Sequence, residues 1–282
     1  MSEKDILLEV GDGIGVIRLN RPESLNALDQ HLLQNLEAAI DQMGRDSQVK
    51  VVVMASSSPK AFIAGADIRE LLRQDPSSGE AFSRSGHELL SKMEAMPKAL
   101  IAAVSGYCLG GGLELALVCD FIYASDDARF GMPEVTIGTI PGFGGTQTLR
   151  SLIGPNRARE LILSGRLLSA QEALEWGIVN NIVPHSDLMD EVLKTARMIA
   201  GNDLTAVAYA KQAIASGLTL DRQSALRLES SLFGRLCGTE ERRLRMQAFL
   251  EKKRPSGEKG GNGRNEDSND ELREERRIGN GI

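Results

Sequence analysis

Two glutamates each stand alone in a long uncharged stretch rich in glycine and apolar residues. Glu114 is the only charged residue in 107–119, and Glu134 is the only one in 130–149. Burying an unpaired carboxylate costs roughly several kcal/mol, so sequences seldom keep one without a chemical use. Two such carboxylates beside glycine-rich backbone indicate acid and base chemistry next to a row of exposed amide donors.

The first glutamate follows three successive glycines, Gly110, Gly111 and Gly112, which precede a predicted helix. Glycines let another molecule approach the backbone closely, and the first N–H groups of a helix have no partner within it. The helix dipole adds to the stabilisation of negative charge at that point. Glu114 falls in the first turn, where a glutamate often serves only to cap the helix. The residues alone therefore do not decide between a catalytic carboxylate and a helix cap.

A second turn of small residues, predicted over 61–68, also leads into a helix and offers free amides around Gly65 and Ala66. Asp67 is most simply the N-cap of that helix. Glu134 lies in a long glycine-rich loop, where a structural carboxylate satisfied by loop amides is the alternative to catalysis. Each motif is weak alone, whereas two donor turns together with two isolated carboxylates form a specific set.

Composition narrows the possible functions of this chain of 282 residues. Its net charge of −6 and pI near 5.3 give no general electrostatic reason to bind nucleic acid or anionic membrane. The sequence has no GxSxG, P-loop or HExxH motif, and its GDGIG run lacks the third glycine of a dinucleotide fingerprint, which disfavours serine hydrolases, zinc enzymes and nicotinamide enzymes.

The cysteines and the N-terminus indicate a cytoplasmic protein. Cys108, Cys119 and Cys237 form no CxxC pair, and we expect three buried thiols with neither a disulfide framework nor a metal site. The first residues resemble neither a secretory nor a transit peptide, and no uncharged run is long enough to cross a membrane without interruption.

Strand and helix patterns alternate through the first half of the chain, which predicts a mainly parallel α/β core. A hairpin is predicted over 6–20, a helix capped by Asp29 over 30–44, another helix over 79–95, and buried strands at 51–54, 100–104 and 121–124. Helices dominate after about residue 145. We therefore predict a catalytic core over 1–200, a helical oligomerisation region over 201–254, and a disordered tail over 255–282.

Taken together, the residues resemble the enoyl-CoA hydratase (crotonase) family from residue 6 to about residue 254. Order and spacing are kept through the following motifs: Asn20-Arg21-Pro22, Leu25-Asn26-Ala27-Leu28, Ala64-Gly65-Ala66-Asp67-Ile68, Ile101-Ala102-Ala103-Val104, Leu109-Gly110-Gly111-Gly112, Glu114-Leu115-Ala116, Pro133-Glu134, Gly138-Thr139-Ile140-Pro141-Gly142 and Gly177-Ile178-Val179. The resemblance implies a crotonase-like α/β spiral of ββα units with a helical C-terminal region, assembled as a trimer or a dimer of trimers.

The resemblance also assigns roles to residues. It implies that the amides of Ala66 and Gly111 form an oxyanion hole for the thioester carbonyl of an acyl-CoA substrate, and that Glu114 and Glu134 are the two catalytic carboxylates. Members with both carboxylates hydrate trans-2-enoyl-CoA to 3-hydroxyacyl-CoA, as in fatty-acid β-oxidation or related acyl-CoA degradation. No metal or redox cofactor is implied, because coenzyme A enters as part of the substrate.

Further positions match substrate-binding positions of the family. These are Ala64, Asp67, Ile68, Lys60, Arg69, Gly142, Phe233 and Lys252. The chain departs from the family at Glu23, where well-studied relatives tend to have a lysine, and a carboxylate there would face a phosphate unfavourably.

Two other functions remain open. One is another crotonase-type reaction, such as Δ3–Δ2 enoyl-CoA isomerisation or hydration of a branched or cyclic enoyl-CoA. The other is RNA binding, known in one branch of the family, to which the basic helix over 241–254 would contribute. The acidic net charge argues against nucleic acid as a partner.

Overall fold

The structure, a computed structural model, describes residues 5–252, with the side chain of Lys252 left out. The tail predicted over 255–282 lies outside the described residues. Contacts divide the chain into two compact units, Met1–Thr239 and Glu240–Ile282. The boundary expected near residue 200 stays a prediction.

The described strands are β1 (Ile6–Gly11), β2 (Ile14–Leu19), β3 (Val51–Ser56), β4 (Ala61–Ile63), β5 (Ala99–Val104), β6 (Tyr107–Leu109), β7 (Phe121–Ser125), β8 (Arg129–Gly131), β9 (Leu167–Ser169) and β10 (Asn181–Val183). The helices of the first unit are α1 (Gln30–Arg45), α2 (Ile68–Leu71), α3 (Pro76–Ala95), α4 (Gly111–Leu117), α5 (Gly145–Ile153), α6 (Pro155–Ser164), α7 (Ala170–Glu175), α8 (Leu188–Ala200), α9 (Leu204–Gly217) and α10 (Arg222–Cys237). In the second unit, α11 spans Glu240–Lys252. Short 3-10 helices span Pro22–Ser24, Pro133–Ile137 and His185–Asp187.

A six-stranded sheet forms one layer, in the order β1-β2-β3-β5-β7-β10. Strands β1 and β2 pair antiparallel as the predicted hairpin, with positive φ at Asp12 and Gly13 in the two-residue loop. The other neighbouring pairs of this sheet run parallel. The parallel α/β core expected from the alternating pattern is therefore present.

The two faces of this sheet carry separate apolar clusters. Val52 and Met54 point to the same cluster as the apolar side of α1, while Val51 and Val53 point to a cluster shared with α8. Asp29 caps α1 as predicted, because its carboxylate accepts the Leu32 N–H at 2.7 Å. A strand covered on both faces reads as a continuous apolar run, which is why β3 was recognisable in the sequence.

A second sheet, in the order β4-β6-β8-β9, was not predicted. Each of its strands has three residues, too few to show an alternating pattern. The prediction that 61–68 is only a turn before a helix was therefore wrong at its start, where Ala61–Ile63 pairs parallel with β6. Strand β8 pairs parallel with β6 and antiparallel with β9.

Two further details differ from the sequence prediction. Helix α3 begins at Pro76, three residues before the expected start, because Asp75 and Ser78 form a capping box around its first turn. Cys108 and Cys119 are buried as expected, but Cys237 is exposed because it lies on the last turn of α10.

Helix α9 packs against the core of the first unit through a polar contact. The Lys211 ammonium donates to the Asp120 carboxylate at 3.0 Å, and the same carboxylate accepts the Leu100 N–H of β5 at 2.7 Å. Helices α9 and α10 also expose large apolar side chains, including Ile214, Leu226 and Phe233. Within residues 5–252, none of the helices is both long and apolar enough to span a membrane.

Candidate active site

The small sheet gathers the functional segments at one edge. Strands β4, β6 and β8 are parallel neighbours, so their carboxyl ends lie side by side. The turn carrying Gly65 and Ala66 follows β4, the glycines at 110–112 follow β6, and the segment carrying Glu134 follows β8. Three short strands that the sequence did not reveal thus bring together the motifs that it did.

The first donor turn is fixed by a bridge to Leu28. The Leu28 N–H donates to the Gly65 carbonyl and the Asp67 N–H donates to the Leu28 carbonyl, both at 2.8 Å. In a parallel bridge of this kind the amide of the residue between, Ala66, takes no part and faces the opposite side. Gly111 is the first residue of α4, where an N–H has no acceptor within the helix.

Gly110 lies where the two turns and Glu134 meet. Its φ of 51° with a ψ of −125° is a backbone conformation that glycine alone adopts readily. A Cβ atom at this position would lie 3.7 Å from the Gly65 Cα and 2.6 Å from the Glu134 Oε1. The two donor turns are therefore adjacent, and the Glu134 carboxyl group packs directly against the backbone of the second.

Glu114 is buried, with 2% of its surface exposed, and its carboxylate points across to another segment. The Oε1 atom accepts the Phe143 N–H at 2.8 Å and the Gly145 N–H at 2.6 Å. Burial raises the pKa of Glu114, while these backbone amides, with that of Gly142, act to lower it. The carboxylate is therefore held by a loop more than 25 residues away in sequence, which rules against its serving only as a cap for α4.

Glu134 has a different environment. It sits in the 3-10 helix Pro133–Ile137, and its Oε2 is the one buried side-chain oxygen or nitrogen among the described residues that lacks a hydrogen-bond partner. Burial raises the pKa of Glu134 to about 7, and the negative charge of Glu114 adds to the rise. The alternative of a structural carboxylate satisfied by loop amides does not account for an unpartnered Oε2.

Both glutamates, Ala66 and Gly111 line a single cavity of about 660 Å³. Two carboxyl groups with different environments thus face the same space: Glu114 accepts two backbone amides, and Glu134 has an oxygen without a partner. Two carboxyl groups in unlike environments are the arrangement by which one site can run base and acid chemistry together.

Helix α3 forms a wall of the cavity that the sequence analysis missed. Phe82, Ser83 and His87 line the cavity from this helix. The Phe82 and Phe143 rings lie 5.2 Å apart, and Gly86 lets the second ring pack against the helix, since a Cβ there would lie 2.1 Å from the Phe143 ring. A glycine in the middle of a long amphipathic helix is the signal that could have indicated this close approach.

The remaining predicted site residues divide into two groups. Ala64, Ile68 and Gly142 line the cavity. Outside its lining are Asp67, Lys60, Arg69 and Phe233, and the Lys252 side chain is not described. Asp67 caps α2 by accepting the N–H groups of residues 69 and 70, as its simplest interpretation predicts. The catalytic and coenzyme A-binding roles of all these residues stay predictions.

Metal-binding side chains are not clustered in the described part of the chain. No three His, Cys, Asp or Glu residues within 5–252 are grouped so as to hold a metal ion.

Comparison with known proteins gives consistent matches along most of the chain. Residues 9–259 match the model of a family described as enoyl-CoA hydratase/isomerase. The chain is 40% identical over 257 residues to the short-chain-enoyl-CoA hydratase of Clostridium acetobutylicum, covering 91% of this chain and 98% of that protein. It is 37% identical over 254 residues to the crotonyl-CoA hydratase of Syntrophomonas wolfei, covering 90% and 98%.

A solved structure, that of enoyl-CoA hydratase from Bacillus anthracis, superposes with a TM-score of 0.85 at 37% sequence identity. The match covers 88% of this chain and 97% of that one. It confirms the fold predicted from the sequence.

Proposed function

The chain belongs to the enoyl-CoA hydratase/isomerase family, and we propose that it catalyses the reversible hydration of trans-2-enoyl-CoA to 3-hydroxyacyl-CoA. The observation that carries the proposal is the pair of carboxyl groups, Glu114 and Glu134, lining one cavity beside two turns with free amides. The hydratases of Clostridium acetobutylicum and Syntrophomonas wolfei support the same reaction by their similarity.

The thioester carbonyl binds at the amides of Ala66 and Gly111. A 2-enoyl thioester accepts a nucleophile at C3 only when the negative charge that develops on its carbonyl oxygen is stabilised. Two fixed N–H donors do this without reorganisation, and loss of one such donor typically slows a reaction about 100- to 1,000-fold. The dipole of α4 points its positive end at the same oxygen.

Glu114 acts as the base. Its Oε1 is held by the amides of Phe143 and Gly145, which orient the carboxylate and favour its ionised form against the effect of burial. It takes a proton from the water whose oxygen forms the new bond to C3, and Gly142 provides a backbone contact to that water. The electron pair of the C2–C3 double bond moves towards the thioester.

Glu134 acts as the acid. With a pKa of about 7, it is about half protonated at neutral pH and supplies the proton that C2 gains. One proton leaves water for Glu114 and one leaves Glu134 for the substrate, so the pair is restored by transfer of one proton between the two carboxyl groups. Water is the only co-reactant, and coenzyme A arrives bound to the acyl group.

The nucleotide end of the substrate is assigned from charge and exposure. We place it near Lys60 and Arg69, which are exposed at the side of the donor turn and bring positive charge towards the phosphates. Phe233 and Lys252 match family positions for the same substrate and are part of the proposal on that ground alone.

The exposed apolar side chains of α9 and α10 support self-association. We propose a trimer or a dimer of trimers, which light scattering of the purified full-length chain would test; a monomer at micromolar concentration would contradict it. The helical oligomerisation region over 201–254, the disordered tail and the cytoplasmic location belong to the same set of predictions.

The reaction is tested by following loss of the enoyl absorbance of crotonyl-CoA with the wild type, Glu114→Gln and Glu134→Gln. Each glutamine keeps the size of the side chain and removes its proton chemistry, so turnover should fall by several orders of magnitude while binding of crotonyl-CoA is largely kept. Near-normal turnover in either variant contradicts the assigned roles. The wild type is also tested with longer, branched and cyclic enoyl-CoA thioesters. If it adds water to none of these and not to crotonyl-CoA, the proposal is refuted. If it hydrates one of them but not crotonyl-CoA, the reaction stands and its substrate changes.

A further inference from the structure

The peptide group that joins Gly142 to Phe143 is held at both ends. The Ser83 hydroxyl of α3 donates to the Gly142 carbonyl at 2.5 Å, and the Phe143 N–H donates to the Glu114 Oε1 at 2.8 Å. This peptide is trans, so its C=O and N–H point in opposite directions. Ser83 and Glu114 therefore bind opposite sides of one rigid plane.

We infer that Ser83 is a positioning residue for the proposed hydration, acting through the Gly142–Phe143 peptide to orient the Glu114 carboxylate and keep it ionised. The inference rests on the proposed function in so far as Glu114 is the base. It concerns the chain's own hydrogen bonds and needs no contact between Ser83 and the substrate.

The first argument is geometric. A serine within a helix often turns its hydroxyl back to the carbonyl four residues earlier, as Ser85 does with Ala81 at 3.2 Å. Ser83 instead donates outward, to a residue 59 positions away in sequence. The half-buried hydroxyl ties the cavity wall to the loop that holds the base.

The second argument is electrostatic. A donor at the carbonyl end of a peptide polarises it and strengthens the N–H at the other end as a donor, because linked hydrogen bonds reinforce one another. The Phe143 amide is one of the backbone groups that lower the pKa of Glu114 against the effect of burial. A stronger amide donor favours the ionised carboxylate, which is the form that accepts a proton from water.

The third argument concerns the side chain of the same residue. Helix α3 also fixes the Phe143 ring, which packs 5.2 Å from Phe82 and against the bare backbone of Gly86. The ring and the peptide of Phe143 are thus both set by one helix. Removing the Ser83 contact leaves the ring in place, so the peptide alone is freed to tilt.

Among the described residues, two other side chains of titratable types line the cavity with Glu114: Glu134 from the 3-10 helix and His87 from α3. Neither contacts Ser83 in the described hydrogen bonds, so a change in the behaviour of Glu114 on altering Ser83 is not expected to arise through them.

The test compares Ser83→Ala with Ser83→Thr and with Ser85→Ala, an identical chemical change on the same helix but outside the cavity lining. For crotonyl-CoA hydration, Ser83→Ala should lower kcat by about 10- to 100-fold, the range expected when a catalytic group is slightly misplaced, with KM little changed. The acidic limb of the pH profile should move to higher pH, because Glu114 is less well held as an anion. Ser83→Thr keeps the hydroxyl and should recover most of the rate, and Ser85→Ala should match the wild type.

The inference would be overturned if Ser83→Ala had the same kcat and the same acidic limb of the pH profile as Ser85→Ala. It would also be overturned if Ser83→Ala raised KM and left kcat unchanged. A second readout does not require turnover: infrared difference spectra against Glu114→Gln follow the carboxylate band of Glu114 with pH. Its midpoint should rise in Ser83→Ala, and an unchanged midpoint would again overturn the inference. Failure of the wild type to hydrate crotonyl-CoA would refute the proposed function instead, and the infrared result would still decide whether Ser83 sets the ionisation of Glu114.

Discussion

The largely buried carboxyl group of Glu134 predicts a dependence of stability on pH. Burial raises its pKa from an ordinary 4.5 to about 7, a difference of about 2.5 units. At 1.36 kcal/mol per unit this corresponds to roughly 3 kcal/mol at pH values above both. The folded state therefore holds a proton that the unfolded chain releases, and the associated stability is lost as the pH rises from about 4.5 through about 7.

Substitution by glutamine isolates this contribution, because the variant has no group that titrates at this position. We expect the free energy of unfolding of the wild type, measured with urea, to fall relative to that of Glu134→Gln by about 3 kcal/mol between pH 4.5 and pH 8. Only the difference between the two proteins matters, so the other titrating groups of the chain cancel. Parallel pH dependences for the two proteins would refute the account of a buried, neutral acid.

The same pKa predicts the basic limb of catalysis. At pH 7 about half of the Glu134 side chains are protonated, and at pH 8 about one in ten is. Hydration by the wild type should therefore fall about fivefold between pH 7 and pH 8 and about tenfold per pH unit above that, since the acid must be protonated to act. Turnover that stays constant up to pH 9 would mean that Glu134 does not supply the proton.

Three further substitutions test the packing around the site. Gly110→Ala should reduce hydration of crotonyl-CoA by at least about 100-fold, because its Cβ would lie 2.6 Å from the Glu134 Oε1 and would displace the donor turn; wild-type turnover would contradict the placement of that turn. Gly86→Ala should lower the free energy of unfolding by about 1 to 3 kcal/mol and lower kcat as well, since the new methyl group meets the Phe143 ring at 2.1 Å. An unchanged kcat would show that the position of the Phe143 ring does not affect Glu114. Asn26→Ala should destabilise the protein by about 3 kcal/mol in urea unfolding, because the buried amide donates from Nδ2 to Ser56 of β3 and to two carbonyls of β4 and accepts the Arg21 N–H at Oδ1. A loss below about 1 kcal/mol would show that these bonds are replaced.

The larger sheet was predictable because its strands and helices carry long patterns. The continuous apolar run of β3 and the six apolar positions of α1 each give a signal over at least four residues. The Asp29 and Asp67 caps were likewise visible, since a cap depends on the residue type and its immediate neighbours. Local rules gave correct elements wherever the element was long enough to repeat its pattern.

The small sheet was not predictable by those rules. A strand of three residues such as Ala61–Ile63 or Tyr107–Leu109 shows no full period, and its pairing depends on partners far away in sequence. The exposure of Cys237 was not predictable either. Helix α10 exposes apolar residues at other positions, so the residues around Cys237 do not show which side of the helix faces solvent.

The site shows the same division between local and distant information. Glu114 and Glu134 stood out because a lone carboxylate in apolar sequence is unusual whatever its partners. Whether Glu114 capped its own helix or reached another segment was undecided, since the amides of Phe143 and Gly145 that it accepts lie about 30 residues away. Ser83 gave no signal at all, because its partner is a carbonyl that any residue carries.

The measurement that tests the central claim most directly is a crystal structure of the protein with butanoyl-CoA, a saturated thioester that cannot be hydrated. We predict that its carbonyl oxygen accepts hydrogen bonds from the Ala66 and Gly111 amides, with the carboxyl groups of Glu114 and Glu134 both facing the acyl carbons next to it. A thioester bound with its oxygen away from these amides, or with one of the two carboxyl groups turned out of the cavity, would contradict the proposal.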